Sequence, residues 1–309
     1  YIYEGGKKAI ASFAPAVFFA LEKGDEIADN IANLYDSGFE FIYFDGSEGV
    51  NPPFDINVGL AQWRVYRKLN KKPIFCEGAA KSHFSWHMIS GGNAFDVFPP
   101  DVFKEMVVKH PFAEVSNMAN DFTRVNFGWW GYRKGHRPDT YEFATALAAA
   151  CDCPGSFTEN PEFVRNNPRM DDMLETFRRW ELARATGFIT PEIKAEIKKT
   201  NVEHTLLINE SGDLELTPWE WVKDALHGDK TATVFVFERN GKSCAVCWNN
   251  EGVGMLEIPN ITGEISYVEQ LGGPEIPIEY DGDSLIIPVD KKRYLITDLS
   301  IVIGLGNVI

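Results

Sequence analysis

Two stretches place a carboxylic acid directly behind an apolar, strand-like run: Phe39-Glu40-Phe41-Ile42-Tyr43-Phe44-Asp45-Gly46 and Pro73-Ile74-Phe75-Cys76-Glu77-Gly78. An acid at the carboxyl end of a buried parallel strand stands where α/β barrels hold their chemistry. Its desolvation is costly unless the charge is used or paired. Cleaving a glycosidic bond with retention needs two carboxyl groups about 5 Å apart, one a nucleophile and the other an acid/base. Neighbouring strands lie about 4.8 Å apart, so acids leaving adjacent strand ends can reach that separation. On this reading Asp45 is the nucleophile and Glu77 the acid/base. Glu77 must then hold its proton, through apolar neighbours such as Phe75, Phe84 and Trp86 or through the Asp45 charge. The plain alternative for Asp45 is a strand-ending residue that caps the next turn.

A polar and aromatic rim surrounds the pair in sequence. Glu48 follows Asp45 by three residues and either binds sugar hydroxyls, replaces one member of the pair or is simply solvated. Lys81-Ser82-His83-Phe84-Ser85-Trp86-His87 follows Glu77, and His83 and Trp86 are expected to contact substrate. His83 and His87, four apart, would share a helical face and with a carboxylate form a zinc site, which is the competing metal-dependent hydrolase reading. Arg124, Trp129 and Trp130 make a third cluster with Asp121. Arg124 would keep Asp121 or a catalytic carboxylate ionised, and the tryptophans would stack on a sugar ring. Asp152 ends a poorer strand and carries little weight.

The elements that must position these residues alternate. Residues 25–37 read as a helix with Ile27, Ile31 and Leu34 on one face, stopped at Gly38. It feeds the Asp45 strand, expected to be buried on both faces. Residues 58–69 form the next helix and feed the Glu77 strand. Helical patterns follow at 101–110, 111–122, 139–150, 170–186 and 191–199, with strands at 124–130 and near 152–157. Alternation of this kind marks a parallel α/β sheet or barrel. Beyond residue 200 short β-rich runs alternate with turns such as Arg239-Asn240-Gly241 and Asp281-Gly282-Asp283, the texture of an antiparallel β-sandwich of about seven strands. The expected domains are therefore a (β/α) barrel over 1–200 and a β-sandwich over 201–309. The sandwich is expected to be structural support, with Trp219, Trp221 and Trp248 too scattered to form a sugar platform.

Composition excludes several classes. A net charge of −15 repels nucleic acid and anionic membrane surfaces. No apolar run is long enough to span a bilayer, so no membrane insertion is expected. Five cysteines (Cys76, Cys151, Cys153, Cys244 and Cys247) are odd in number and too sparse for a disulfide framework. Cys244 and Cys247 lie three apart in strand-like sequence and so face opposite sides. They are expected to be packing residues, and no cofactor or metal is called for.

Tyr43-Phe44-Asp45-Gly46 and Phe75-Cys76-Glu77-Gly78, in that order before a β-rich C-terminal region, resemble retaining glycoside hydrolases with a (β/α)8 (TIM) barrel followed by an all-β domain. The endo-α-N-acetylgalactosaminidase-like group is the nearest likeness. The resemblance covers residues 25–157, and the sandwich in outline. In that group an Asp ends the fourth strand as nucleophile and a Glu on the next strand is the acid/base, which implies the same roles for Asp45 and Glu77. It implies a carbohydrate substrate and, for a bacterial glycan-degrading enzyme, a periplasmic or extracellular setting. A third reading keeps the sugar-binding rim without catalysis. Residues 1–200 supply four or five strands of the βα kind, not eight. The expectation is that the N-terminal half of the barrel, about 150 residues or more on the scale of a full barrel, lies outside this chain.

Overall fold

A computed structural model describes residues 23–44, 55–78, 88, 91–98, 100–109, 124–130, 137–157, 160–209, 211–223, 232–251, 254–258, 268–270 and 273–297. The chain divides into two compact units, Tyr1–Asp96 with Ser116–Trp129, and Val97–Val115 with Trp130–Ile309.

Among the described residues the first element of the first unit is α1 (Gly24–Asp36). Asp25 and Glu26 favour its positive N-terminal end, and Gly38, at φ +140°, lets the chain leave it through bonds from Gly38 and Phe39 N–H to the Tyr35 carbonyl. Ala28, Ala32 and Tyr35 are the fully buried residues of α1; of the face that the hydrophobic spacing suggests, Ile31 packs partly buried against them, Ile27 is half-buried and Leu34 is exposed. Small alanines let α2 (Asp55–Lys68) approach closely, and Val65, Tyr66 and the following Leu69 complete the contact. Each buried valine or leucine contributes about 1.5–3 kcal/mol. Lys68 Nζ fastens the two helices to Asp29 at 2.5 Å, and the Asn70 N–H donates to Asp36 at 3.1 Å.

Strands β1 (Phe41–Phe44) and β2 (Phe75–Gly78) run parallel, and β2 is parallel to β3 (Gly91–Phe98). β4 (Arg124–Trp130) follows, so the strands lie side by side in chain order, with α2 crossing between β1 and β2. Sequential order of this kind belongs to barrel-type α/β sheets rather than to doubly wound ones. β3 was not legible as a strand, since two glycines and an asparagine open it. β1 is not buried on both faces: Phe41 is exposed, and Ile42, Tyr43 and Phe44 are half-buried. The helices cover one face of this strand, where Ile42 and Phe44 pack on α1 and α2, and β1 ends the row of described strands.

In the second unit α3 (Pro100–Lys109), α4 (Pro138–Ala150), α5 (Pro161–Asn166), α6 (Met170–Ala185) and α7 (Pro191–Ile197) precede the β-rich region. A two-residue strand, β5 (Ser156–Phe157), lies between α4 and α5. α4 is buried along its whole length, as its alanine-rich sequence allows. The α6 stripe is Met173, Phe177, Trp180 and Ala183, while Leu174 is exposed.

An antiparallel sheet then joins β6 (Glu203–Ile208), β7 (Leu214–Trp221), β8 (Ala232–Arg239), β9 (Lys242–Asn249), β11 (Val268–Gln270), β12 (Glu275–Ile276) and β15 (Tyr294–Ile296). A second holds β10 (Met255–Ile258), β13 (Glu279–Asp281) and β14 (Ser284–Pro288). Val234, Ala245 and Cys247 from the larger sheet meet Leu256, Ile258, Leu285 and Ile287 from the smaller in one core. The alternate positions Phe235, Phe237, Val246 and Trp248 form a second core with Leu207 and Trp219. Trp219 stacks on Phe235 at 4.2 Å between ring centres. Asn240 and Gly241, both at positive φ, close the β8–β9 hairpin as a two-residue turn. β7 was missed in the sequence because Pro218 sits inside it; pairing with β8 begins only at Glu220, past the missing N–H.

Candidate functional site

Of the two candidate acids, Glu77 lies in β2, one residue before its end, and Asp45 follows β1 in the sequence. In the parallel register Phe41 stands level with Phe75, Ile42 with Cys76, Tyr43 with Glu77 and Phe44 with Gly78. Ile42, Phe44 and Cys76 pack toward the helices, joined by Met88 and Tyr66. Strand alternation assigns the other face to positions 41, 43, 75 and 77. Glu77 thus occupies a register position on the face turned away from α1 and α2, in the last turn of the pleat before β2 ends. On β3 its partner is Gly91, and Gly92 partners Gly78, so neither β3 position carries a side chain. The neighbouring Cys76 is almost fully buried, and burial pushes its thiol up to about 11.

Of the other expected site residues, Arg124, Trp129 and Trp130 lie on β4, two strands from β2 in the sheet order. Asp45, Glu48, His83, Trp86, His87 and Asp121 lie outside the described residues, and so does the helix expected over 111–122. Asp152 is not a strand-end acid. It follows α4 at φ +54° in the left-handed region, where aspartate is tolerated, and its carboxylate takes Lys194 at 2.6 Å. Cys244 and Cys247 are buried in the two opposite cores of the larger sheet, as their spacing implied.

Sequence reasoning missed two buried charge clusters in the second unit. Arg293, just before β15, donates through Nη1 to Glu142 on α4, through Nε to Asp172 on α6 at 3.1 Å and through Nη2 to Thr176 at 3.0 Å. Glu142 Oε1 also accepts from Trp180 Nε1 at 3.2 Å and Thr205 Oγ1 at 2.8 Å. Burial alone would lower the Arg293 pKa; the carboxylates of Asp172 and Glu142 overcome it and leave the guanidinium above its ordinary value. Arg169, wholly buried, adds a bond to Asp172 at 2.7 Å and one to the Asp290 carbonyl at 2.9 Å. In the second cluster Lys104 bridges Asp139 at 3.3 Å and Glu203 at 2.7 Å. Desolvation raises the Glu203 pKa against the pull of Lys104. The only sequence signal was the presence of acids inside an otherwise apolar α4, a helix too hydrophobic to be exposed.

No family model and no curated protein matches the chain. Among solved structures it is similar to Eubacterium rectale Amy13B, with 11% identity and a TM-score of 0.34 over 91% of this chain and 64% of that one. It is similar to a debranching enzyme from Nostoc punctiforme, with 12% identity and a TM-score of 0.33 over 90% and 62%. A family 39 glycoside hydrolase from Bacteroides cellulosilyticus WH2 gives 10% identity and a TM-score of 0.31 over 90% and 63%. The chain therefore spans less than two thirds of the length of these proteins, and likeness at this level does not identify an activity.

Proposed function

We propose that the chain is part of a glycoside hydrolase that cleaves O-glycosidic bonds of a polysaccharide or glycan with retention, Asp45 acting as nucleophile and Glu77 as acid/base. The observation that supports this most is the parallel β1–β2 register, with Glu77 level with Tyr43 on the face away from the helices. Asp45 follows Tyr43 by two residues in the sequence. In the first step the Asp45 carboxylate attacks the anomeric carbon while Glu77 protonates the departing glycosidic oxygen. In the second, Glu77 takes a proton from water, the water oxygen attacks the same carbon, and Asp45 leaves as carboxylate. Glu48, His83, Trp86, Arg124, Trp129 and Trp130 are assigned to sugar contacts on this reading, and residues 201–309 to a supporting β-sandwich.

The test is hydrolysis of aryl glycosides and soluble glucans by the native protein containing this chain. Asp45→Asn should abolish turnover with circular dichroism and melting unchanged. A folded Asp45→Asn protein that keeps near-normal activity would sink the assignment.

A further inference from the structure

A cavity of about 260 Å³ opens between α6, β6 and the turn before β15, lined among others by Glu142, Asp172, Glu175, Arg179, Lys292 and Arg293. Its size falls just below the range of about 300–1,000 Å³ that holds drug-sized ligands, which suits a solute of one sugar ring. The lining interleaves acceptors and donors. Four acids, Asp171 included, face two arginines and a lysine, so neither a strongly anionic nor a cationic ligand is favoured. Leu206 is its one large apolar side chain among the described residues, which argues against an apolar ligand. Vicinal hydroxyls satisfy such a wall, because each can donate to a carboxylate and accept from a guanidinium or ammonium.

The polar groups are held in place before any ligand arrives. Arg293, pinned between Glu142 and Asp172, cannot swing away, and Glu142 is fixed by Trp180 and Thr205. Glu175 is kept ionised, its pKa drawn down to about 2 by its hydrogen bond from Arg178 and then by Arg179. Arg179 spends Nε on Glu175 at 2.7 Å and one Nη1 hydrogen on the Leu206 carbonyl at 3.5 Å. Its other guanidinium hydrogens, and the Lys292 ammonium, have no partner among the described residues. Groups ordered in advance lose little entropy when a ligand engages them.

We propose that this cavity binds one neutral, hexose-sized sugar unit, with Glu175 accepting and Arg179 and Lys292 donating to its hydroxyls. The site uses none of the residues assigned to catalysis and stands independently of that assignment.

Calorimetric titration tests it, using the intact chain in a Glu77→Gln background so that turnover adds no heat. Glucose, galactose and N-acetylglucosamine are titrated at millimolar concentrations, with inorganic phosphate as the charged comparison. At least one sugar should bind saturably, and Glu175→Ala with Lys292→Ala, the first half-buried and the second exposed, should weaken it about tenfold or more. Arg179→Lys, which keeps the charge but loses the planar fork, should weaken binding with the melting temperature maintained. No saturable heat with any sugar, sugar binding that survives these substitutions, or phosphate binding more tightly than sugar would each overturn the proposal.

Discussion

Arg293 and Glu142 form an ion pair across 151 residues of sequence, with both side chains almost completely buried. One residue belongs to the turn before β15 and the other to the centre of α4. The pair therefore fastens the buried helix to the larger sheet, and Asp172 brings α6 into the same knot.

Removing one charge from this knot should be more damaging than removing two. Arg293→Met leaves Glu142 buried without its counter-ion, a change that costs about 3–5 kcal/mol. Arg293→Met combined with Glu142→Gln removes the stranded charge but keeps an acceptor for Trp180 and Thr205, while Asp172 retains Arg169. Urea unfolding should rank the double variant above the single one. Equal or greater destabilisation by the double variant contradicts this account.

His204 predicts a loss of stability in mild acid. Desolvation lowers its pKa from the ordinary 6.5, opposed by Glu196, whose carboxylate lies 3.9 Å away. The unfolded chain thus takes up this proton more readily than the folded one. Stability is fully present above 6.5 and falls as the pH drops below it toward the depressed folded value. His204→Gln should flatten that part of the unfolding free energy against pH curve.

The thiols should resist modification while the protein is folded. All five cysteines are buried, and burial alone pushes Cys76 up to about 11 and Cys247 up to about 12. Thiolate is the reactive form, so a neutral disulfide reagent should label almost none in buffer and all five in denaturant. Fast labelling of Cys76 in the native protein would show that the sheet near Glu77 opens readily.

The acid/base role proposed for Glu77 can be separated from a general loss of structure. Glu77→Ala should lower turnover of substrates with poor leaving groups by about 10²–10⁴-fold, the usual worth of general acid–base catalysis. Azide should restore the rate with an activated aryl glycoside and yield a β- or α-glycosyl azide of retained configuration. An azide product of inverted configuration would instead assign Glu77 as the nucleophile.

The alternation of helices and strands was legible because apolar runs, glycine stops and acidic first turns are local signals. β1, α2 and β2 follow that pattern closely. What was not legible depends on partners distant in the chain. Ala28, Ala32 and Tyr35 form the fully buried centre of the α1 face, with the larger Ile31 only partly buried against it and Leu34 exposed, because close approach to α2 outweighs side-chain size. Arg293 lies in Lys291-Lys292-Arg293, which looks like a solvated basic run; only its contact with α4 and α6 makes it buried. At the proposed site the position of Glu77 near the end of a parallel strand could be read from the sequence. The glycines at 91 and 92 could not, since their meaning rests on the β2–β3 register.

Phe39, Phe41 and Ile74 are exposed around the start of β1, and Glu40 and Lys71 form an ion pair among them. The Ile74 N–H reaches the Glu40 carbonyl at 3.0 Å, so the charged pair is built into the same stretch of ladder as the apolar residues. Its two charges act as gatekeepers for a sticky strand. Being surface charges, they are screened once salt shortens the Debye length to a few ångströms. This chain handled alone should therefore be colloidally better behaved in dilute buffer than in concentrated salt, and neutralising Glu40 should turn a soluble preparation into one that self-associates.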